Sequence, residues 1–410
     1  MTKYYLKNIL LNNLSQGLQF GSRWILTIVL LKVLSIEMFA VFSFVFSISN
    51  FLVAVLPFGS AVYLINKAED SEHGIKELAV SIEIIFFMFI GIMLSFALYF
   101  SFNPEIENAA LIPLGILLSL ILSLNNMIFS FLKGVGNFTF ELKIYSIFSI
   151  LLFLVTGYLY FVDAIAVYCL FMLLITINGL MLLFAFRYSA ILKNNEIFQF
   201  RNYTFTSFKK GCNHRFFFGL QEIVTATYSQ GGMLILFYVI SKTIYGEYRA
   251  LLILAAPFAL VNVAVSQVLL SQLKSVPINK VGATFKKLHW PFSALLAGFL
   301  FVIYYFGKPI VKIITGLEFT DSIQKSYICV LVIIFISFVY SGYEMLLVVI
   351  DKQKHRFLIM LIGAITNIVS IFLLLPKYGT FGAISTNLLS NVAVFFGIVF
   401  LSERFLHKLK

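Results

Sequence analysis

Arg23 lies near the middle of an apolar stretch, with Gln19 four residues and Gln16 seven residues before it. On an α-helix these spacings put all three side chains on one face. A guanidinium at the centre of a membrane span costs about 2.5–3.5 kcal/mol on insertion scales. That face is therefore expected to meet protein or a watery cavity, not lipid. In a cavity it offers a fixed positive charge and two amides. Such a set suits a diphosphate, which a guanidinium grips in two-pronged fashion, together with sugar hydroxyls. The competing reading is that Arg23 pairs with a neighbouring helix and holds a bundle together.

Three carboxylates, Glu83, Glu222 and Glu344, each sit about one and a half turns in from one end of a predicted helix. Buried there, a carboxylate can carry a proton or a coupling cation. Snorkelling to the interface or pairing with a basic residue is the alternative for each. Glu222 has Gln221, Thr225 and Tyr228 extending its polar face, so Gln221 and Tyr228 join the candidate cavity residues. Arg249 also falls within a span, where it either lines the cavity, snorkels outward or pairs with Glu247. There is no phosphate-cradling glycine loop and no cluster with metal-ligand spacing. No enzyme activity, cofactor or metal is expected. The five histidines fall at predicted helix ends or loops.

The elements that must hold these residues are legible in the composition. Of 410 residues, 60% are hydrophobic and 12% charged, about half the charge of a soluble chain. Apolar runs near the ~20 residues that cross a bilayer as a helix recur from end to end. They do not alternate, which excludes a barrel. Predicted helices 1–6 fall at about 14–34, 38–60, 78–100, 110–132, 142–161 and 164–186. Helices 7–12 fall at about 216–240, 245–270, 290–306, 326–350, 358–375 and 384–401.

With the N-terminus inside, 22 Lys and Arg lie on the inner side and six on the outer. This asymmetry sets both termini in the cytoplasm. It also accounts for the net charge of +12 without nucleic acid as a partner. The N-terminus has no small-residue cleavage site and reads as an uncleaved first helix. The three cysteines imply no disulfide framework.

Two stretches read as a repeat. Val33–Phe44 is VLSIEMFAVFSF and Val239–Ala250 is VISKTIYGEYRA, 206 positions apart. An even number of helices per half makes the repeat parallel. The expected fold is all-α and integral to the membrane, with twelve transmembrane helices in two six-helix bundles. The expected division is 1–190 for the first bundle, 191–215 for a cytoplasmic linker and 216–410 for the second bundle. At the 206 offset Glu222 falls opposite Gln16. Pro57 and Pro257 lie in helices 2 and 8 but do not align at that offset.

Near the C-terminus a basic segment, DKQKHRF from Asp351, precedes an apolar helix, the turn LPKYGTFGA and a last helix. Gly363-Ala364 and Gly382-Ala383 put small residues where two helices can approach closely. This pattern, with the LSIEMFA and ISKTIYG stretches after helices 1 and 7, resembles polysaccharide flippases. These form the O-antigen-unit (Wzx-type) branch of the multidrug/oligosaccharidyl-lipid/polysaccharide exporter superfamily. The resemblance implies two six-helix bundles around a cavity that opens alternately to either side. It implies a cargo of undecaprenyl-diphosphate-linked oligosaccharide moved from the cytoplasmic to the periplasmic leaflet of a bacterial inner membrane. Expected partners are that lipid-linked sugar, the bilayer, and the polymerase and chain-length regulator of the same pathway. A drug/cation antiporter of the same superfamily and a membrane polysaccharide polymerase are the alternative readings. The first is disfavoured by a cation in helix 1, the second by the short outer loops.

Overall fold

A computed structural model of the chain describes residues 2–67, 71–103, 108–161, 165–188, 204–274, 276–350 and 352–408. Most of the expected 191–215 linker lies outside them. Most of the described residues are helical, with no strand among them. In order the helices are α1 (Thr2–Val33), α2 (Ile36–Val55), α3 (Ser60–Lys67), α4 (Ser71–Phe102), α5 (Ile112–Gly134), α6 (Phe138–Tyr160) and α7 (Val167–Tyr188). There follow α8 (Phe205–His214), α9 (Phe216–Ala226), α10 (Gly232–Val239), α11 (Lys242–Ile253), α12 (Ala256–Lys274) and α13 (Val281–Tyr305). The last three are α14 (Gly307–Thr315), α15 (Asp321–Val349) and α16 (Gln353–Lys408).

Among the described residues, nine helices are long and apolar enough to cross a membrane, and the pair α11–α12, bent by 42°, makes a tenth. The chain is a multi-pass membrane protein. The two expected spans missing from this set are helices 1 and 7. α1 is continuous, but Asn12, Asn13, Gln16, Gln19 and Arg23 break up its apolar run. Helix 7 is split into α9 and α10 by a π-helical segment, Thr227–Gly231. The two helices too polar or too broken to qualify are the two that carry most of the candidate residues.

Proline chemistry places two further breaks. Helix 2 ends at Val55, ahead of Pro57, where Phe58 and Gly59 both take positive φ (47° and 77°) before α3 begins. It does not run on to residue 60, because Pro57 ends it and the reversal needs the left-handed region. The bend between α11 and α12 falls beside Pro257. Near the C-terminus α16 holds both expected helices 11 and 12, turning at Gly379 with φ 53°.

The chain packs as two compact units. The first comprises Met1–Leu26 and Val41–Gln230, the second Thr27–Ala40 and Gly231–Lys410. In the first, α5 is central, and a Cβ at Gly115 would sit 2.8 Å from the Val45 side chain. The Ser49 hydroxyl crosses that close approach to the Gly115 carbonyl at 2.8 Å. In the second, α15 packs along both limbs of α16. Ser390 donates to the Gly363 carbonyl at 2.7 Å, and Ala364 and Ala383 are buried. The small pairs read from the sequence do sit where helices 11 and 12 meet.

The repeat has a direct structural counterpart. Ser35 caps α2 through a 3.3 Å bond from the Met38 amide, and Ser241 caps α11 through a 3.3 Å bond from the Ile244 amide. These serines are equivalent at the 206 offset. A serine oxygen at that place satisfies one of the amides a helix start leaves open.

Candidate functional site

The α1 residues keep their shared face. Gln16, Gln19 and Arg23 are all half-buried. The Gln16 amide reaches Asn12 Oδ1 at 3.5 Å, one turn back. Arg23 lies near Tyr145 of α6. The neighbouring face of α1 is anchored to α6, since the Ser149 hydroxyl donates to the Leu18 carbonyl at 3.1 Å and lies 3.5 Å from Ser22 Oγ. One side of α1 is thus fixed by packing and the Arg23 side carries the polar groups.

Glu222 holds a position that depends on the break in helix 2. The Gly59 amide donates to Glu222 Oε2 at 2.9 Å, ahead of the first turn of α3. α9 approaches so closely that a Cβ on Gly219 would lie 2.6 Å from the Phe58 ring. A carboxylate at a helix start is electrostatically favoured. Gln221 and Tyr228 are half-buried in the same unit. The Thr225 hydroxyl is turned back to the Gln221 carbonyl at 2.9 Å, so it bonds its own helix. The α1 set therefore rests on α6, and the α9 set on α3.

The other two carboxylates have structural partners. Glu83 is buried and accepts from the Thr204 amide at 2.9 Å and the Ser207 hydroxyl at 2.8 Å. It thereby fastens the start of α8 to α4. Glu344 in the second unit is paired with Arg356 at 3.1 Å. Arg249, in the same unit, donates to the Met233 sulfur. Glu247, one of the partners considered for Arg249, accepts from the Thr380 hydroxyl.

Two features escaped the sequence reading. Arg215, counted there only as a loop charge, is 1% exposed. It donates to Glu77 Oε2 at 2.6 Å and to Ser60 Oγ at 3.1 Å, and its guanidinium lies 4.6 Å from the Tyr63 ring centre. Burial pulls its pKa down from the ordinary value, and the Glu77 carboxylate opposes that shift. A single arginine among many in a basic connection carried no signal of this. The π segment Thr227–Gly231 is the other. Its only trace in the sequence is the small and polar run Ser229-Gln230-Gly231-Gly232. Such bulges recur at functional sites because they leave helix bonds out of step.

The all-α, multi-pass fold is similar to those of solved membrane transporters. Solved transporters of the MOP superfamily are among the structures it resembles. Lipid II flippase MurJ in an inward closed conformation is similar with a TM-score of 0.70 and 17% identity, covering 97% of this chain and 89% of that one. An inward-facing multidrug resistance MATE family transporter gives 0.68 at 14% identity, with 96% and 95% covered. A MOP superfamily transporter from Pyrococcus furiosus gives 0.67 at 14% identity, with 99% and 96% covered. No family model matches the sequence, and no curated protein matches it.

Proposed function

We propose that the protein is a flippase for a lipid-linked oligosaccharide, moving an undecaprenyl-diphosphate-linked O-antigen or capsule repeat unit from the cytoplasmic to the periplasmic leaflet by alternating access. The observation that carries this reading is the Gln16–Gln19–Arg23 face of α1, a fixed positive charge with flanking amides in a transporter fold. A guanidinium grips a diphosphate in two-pronged fashion, and neutral amides bond sugar hydroxyls without demanding a particular charge. Gln221, Tyr228 and Arg249 complete the proposed cargo path. The lipid tail stays in the bilayer throughout, and the protein sits in the inner membrane with both termini cytoplasmic. The polymerase and chain-length regulator of the same pathway are the proposed protein partners.

For coupling, Glu222 is the residue of choice among the three carboxylates. Glu344 already faces a guanidinium, and Glu83 is committed to two donors that hold α8. Glu222 accepts from a neutral amide, so a proton or sodium ion can balance its charge.

The second reading is a drug or cation antiporter, favoured by the likeness to multidrug MATE transporters. Arg23 separates the two, because a fixed cation repels a cationic cargo. The test is complementation of a flippase-null strain, scoring surface polysaccharide, beside dye efflux from the same cells. Wild type is expected to restore polysaccharide, Arg23→Lys to restore part and Arg23→Ala to restore little. Dye efflux without polysaccharide rescue in matched sugar backgrounds would sink the flippase reading.

A further inference from the structure

A cavity of about 280 Å³ opens in the second unit, away from every candidate residue above. Its walls come from two helices that both end there. Asn279, Gly282 and Lys286 lie at or just before the start of α13, and Glu403, Leu406 and His407 lie in the last turns of α16. A Cβ at Gly282 would lie 3.0 Å from the Leu406 side chain, so the helices nearly touch at this point.

The depth of the cavity follows from the spans that frame it. One apolar span runs Ile278–Tyr305 and the other Tyr378–His407. The cavity is lined by the first residues of one and the last residues of the other. It therefore sits at headgroup level, on the side where the basic residues concentrate. Trp290, one turn past Lys286 and 45% exposed, suits that boundary.

The lining chemistry narrows the occupant. Glu403 is the one carboxylate among the lining residues, and both its oxygens are engaged. Oε1 accepts from the Tyr343 hydroxyl at 3.0 Å and Oε2 from Lys286 at 3.0 Å. The Lys286 side chain remains 52% exposed. An ammonium has three N–H groups, so Lys286 can serve an external acceptor while keeping Glu403. The Asn279 amide and the His407 ring offer further donors. Lys280 and Arg404, each next in sequence to a lining residue, are exposed. Donors within and positive charge around fit a phosphodiester.

We infer that this cavity holds the headgroup of an anionic phospholipid of the cytoplasmic leaflet. The lipid would bind the second unit from the bilayer, with its phosphodiester at Lys286. This does not depend on which cargo the protein carries.

The test uses the purified full chain in detergent, titrated with phosphatidylglycerol and with phosphatidylethanolamine of the same acyl chains, and read by native mass spectrometry. Lys286→Gln removes the donor and Ala283→Trp fills the cavity by a different route. Lys287→Gln removes the same charge from a side chain that does not line it. Phosphatidylglycerol is expected to be retained by wild type and by Lys287→Gln. Its retention should weaken by about tenfold in each of the other two variants, provided each elutes as a single folded species. Equal loss in Lys287→Gln, no loss in Lys286→Gln, or equal retention of phosphatidylethanolamine would each overturn the inference. A parallel titration with inorganic phosphate distinguishes the sources. Phosphate binding that Lys286→Gln abolishes, with no preference for the anionic lipid, would reassign the cavity to a free anion.

Discussion

The Thr243 hydroxyl lies 3.4 Å from Glu37 Oε1. The two residues occupy the same place in the internal repeat, 206 positions apart. The close approach of Gly246 to the Ile36 carbonyl, 2.5 Å from where a Cβ would stand, adds to the contact there.

Cysteines placed at these two positions, in a background without Cys169, Cys212 and Cys329, are expected to be joined by a short bifunctional thiol reagent. On the alternating-access reading, joining them stops transport, and a cleavable linker restores it on reduction. Undiminished transport with complete cross-linking would show that this contact does not open during the cycle.

The Glu222–Gly59 bond separates folding from coupling. Glu222→Gln keeps a carbonyl to accept from the Gly59 amide, so thermal stability should change by no more than about 1 kcal/mol. Glu222→Ala leaves that amide open and is expected to lose about 1–3 kcal/mol. If Glu222 carries the coupling ion, Glu222→Gln folds but its transport no longer responds to the ion gradient. A gradient response intact in Glu222→Gln removes it from that role.

Arg215 should matter for stability more than its place in a basic connection implies. Arg215→Ala leaves Glu77 without its cation and Tyr63 without its stacked guanidinium. Breaking a buried pair from one side costs about 3–5 kcal/mol, and the low end applies here because Glu77 keeps some solvent contact. Arg215→Lys should recover only part, since a single ammonium cannot span Ser60 and Glu77 as the planar fork does. Unfolding in detergent, followed by tryptophan fluorescence or aggregation, reads both.

Gly219 is where α9 passes the helix 2 break. Gly219→Ala pushes a methyl against the Phe58 ring and is expected to lose about 1–3 kcal/mol. Phe58→Ala in the same chain should return part of that loss, because the clash lies between these two side chains. Additive losses would mean that the backbone, not the ring, sets the spacing.

The membrane class, the positions of most spans and the repeat were all legible in the linear pattern. They depend on local properties: run length, charge placement and similarity at a constant offset. Ser35 and Ser241 show how directly this works, because a cap forms between residues three apart. The small pairs at Gly363 and Gly382 were readable for the same kind of reason, since close helix approach needs small side chains wherever it occurs.

Partnership across the chain was not legible. Glu83, Glu222 and Glu344 look alike in sequence, each a carboxylate a turn or two inside a helix. Only the folded chain sends one to a helix start at Thr204, one to the amide of Gly59 and one to the guanidinium of Arg356. Arg215 was one basic residue among many until packing buried it. The sequence determined which groups would be costly to leave in lipid. The tertiary structure decided which partner relieves each cost, because a hydrogen bond or ion pair is satisfied by whatever lies within about 3 Å in space, and distance along the chain does not specify that.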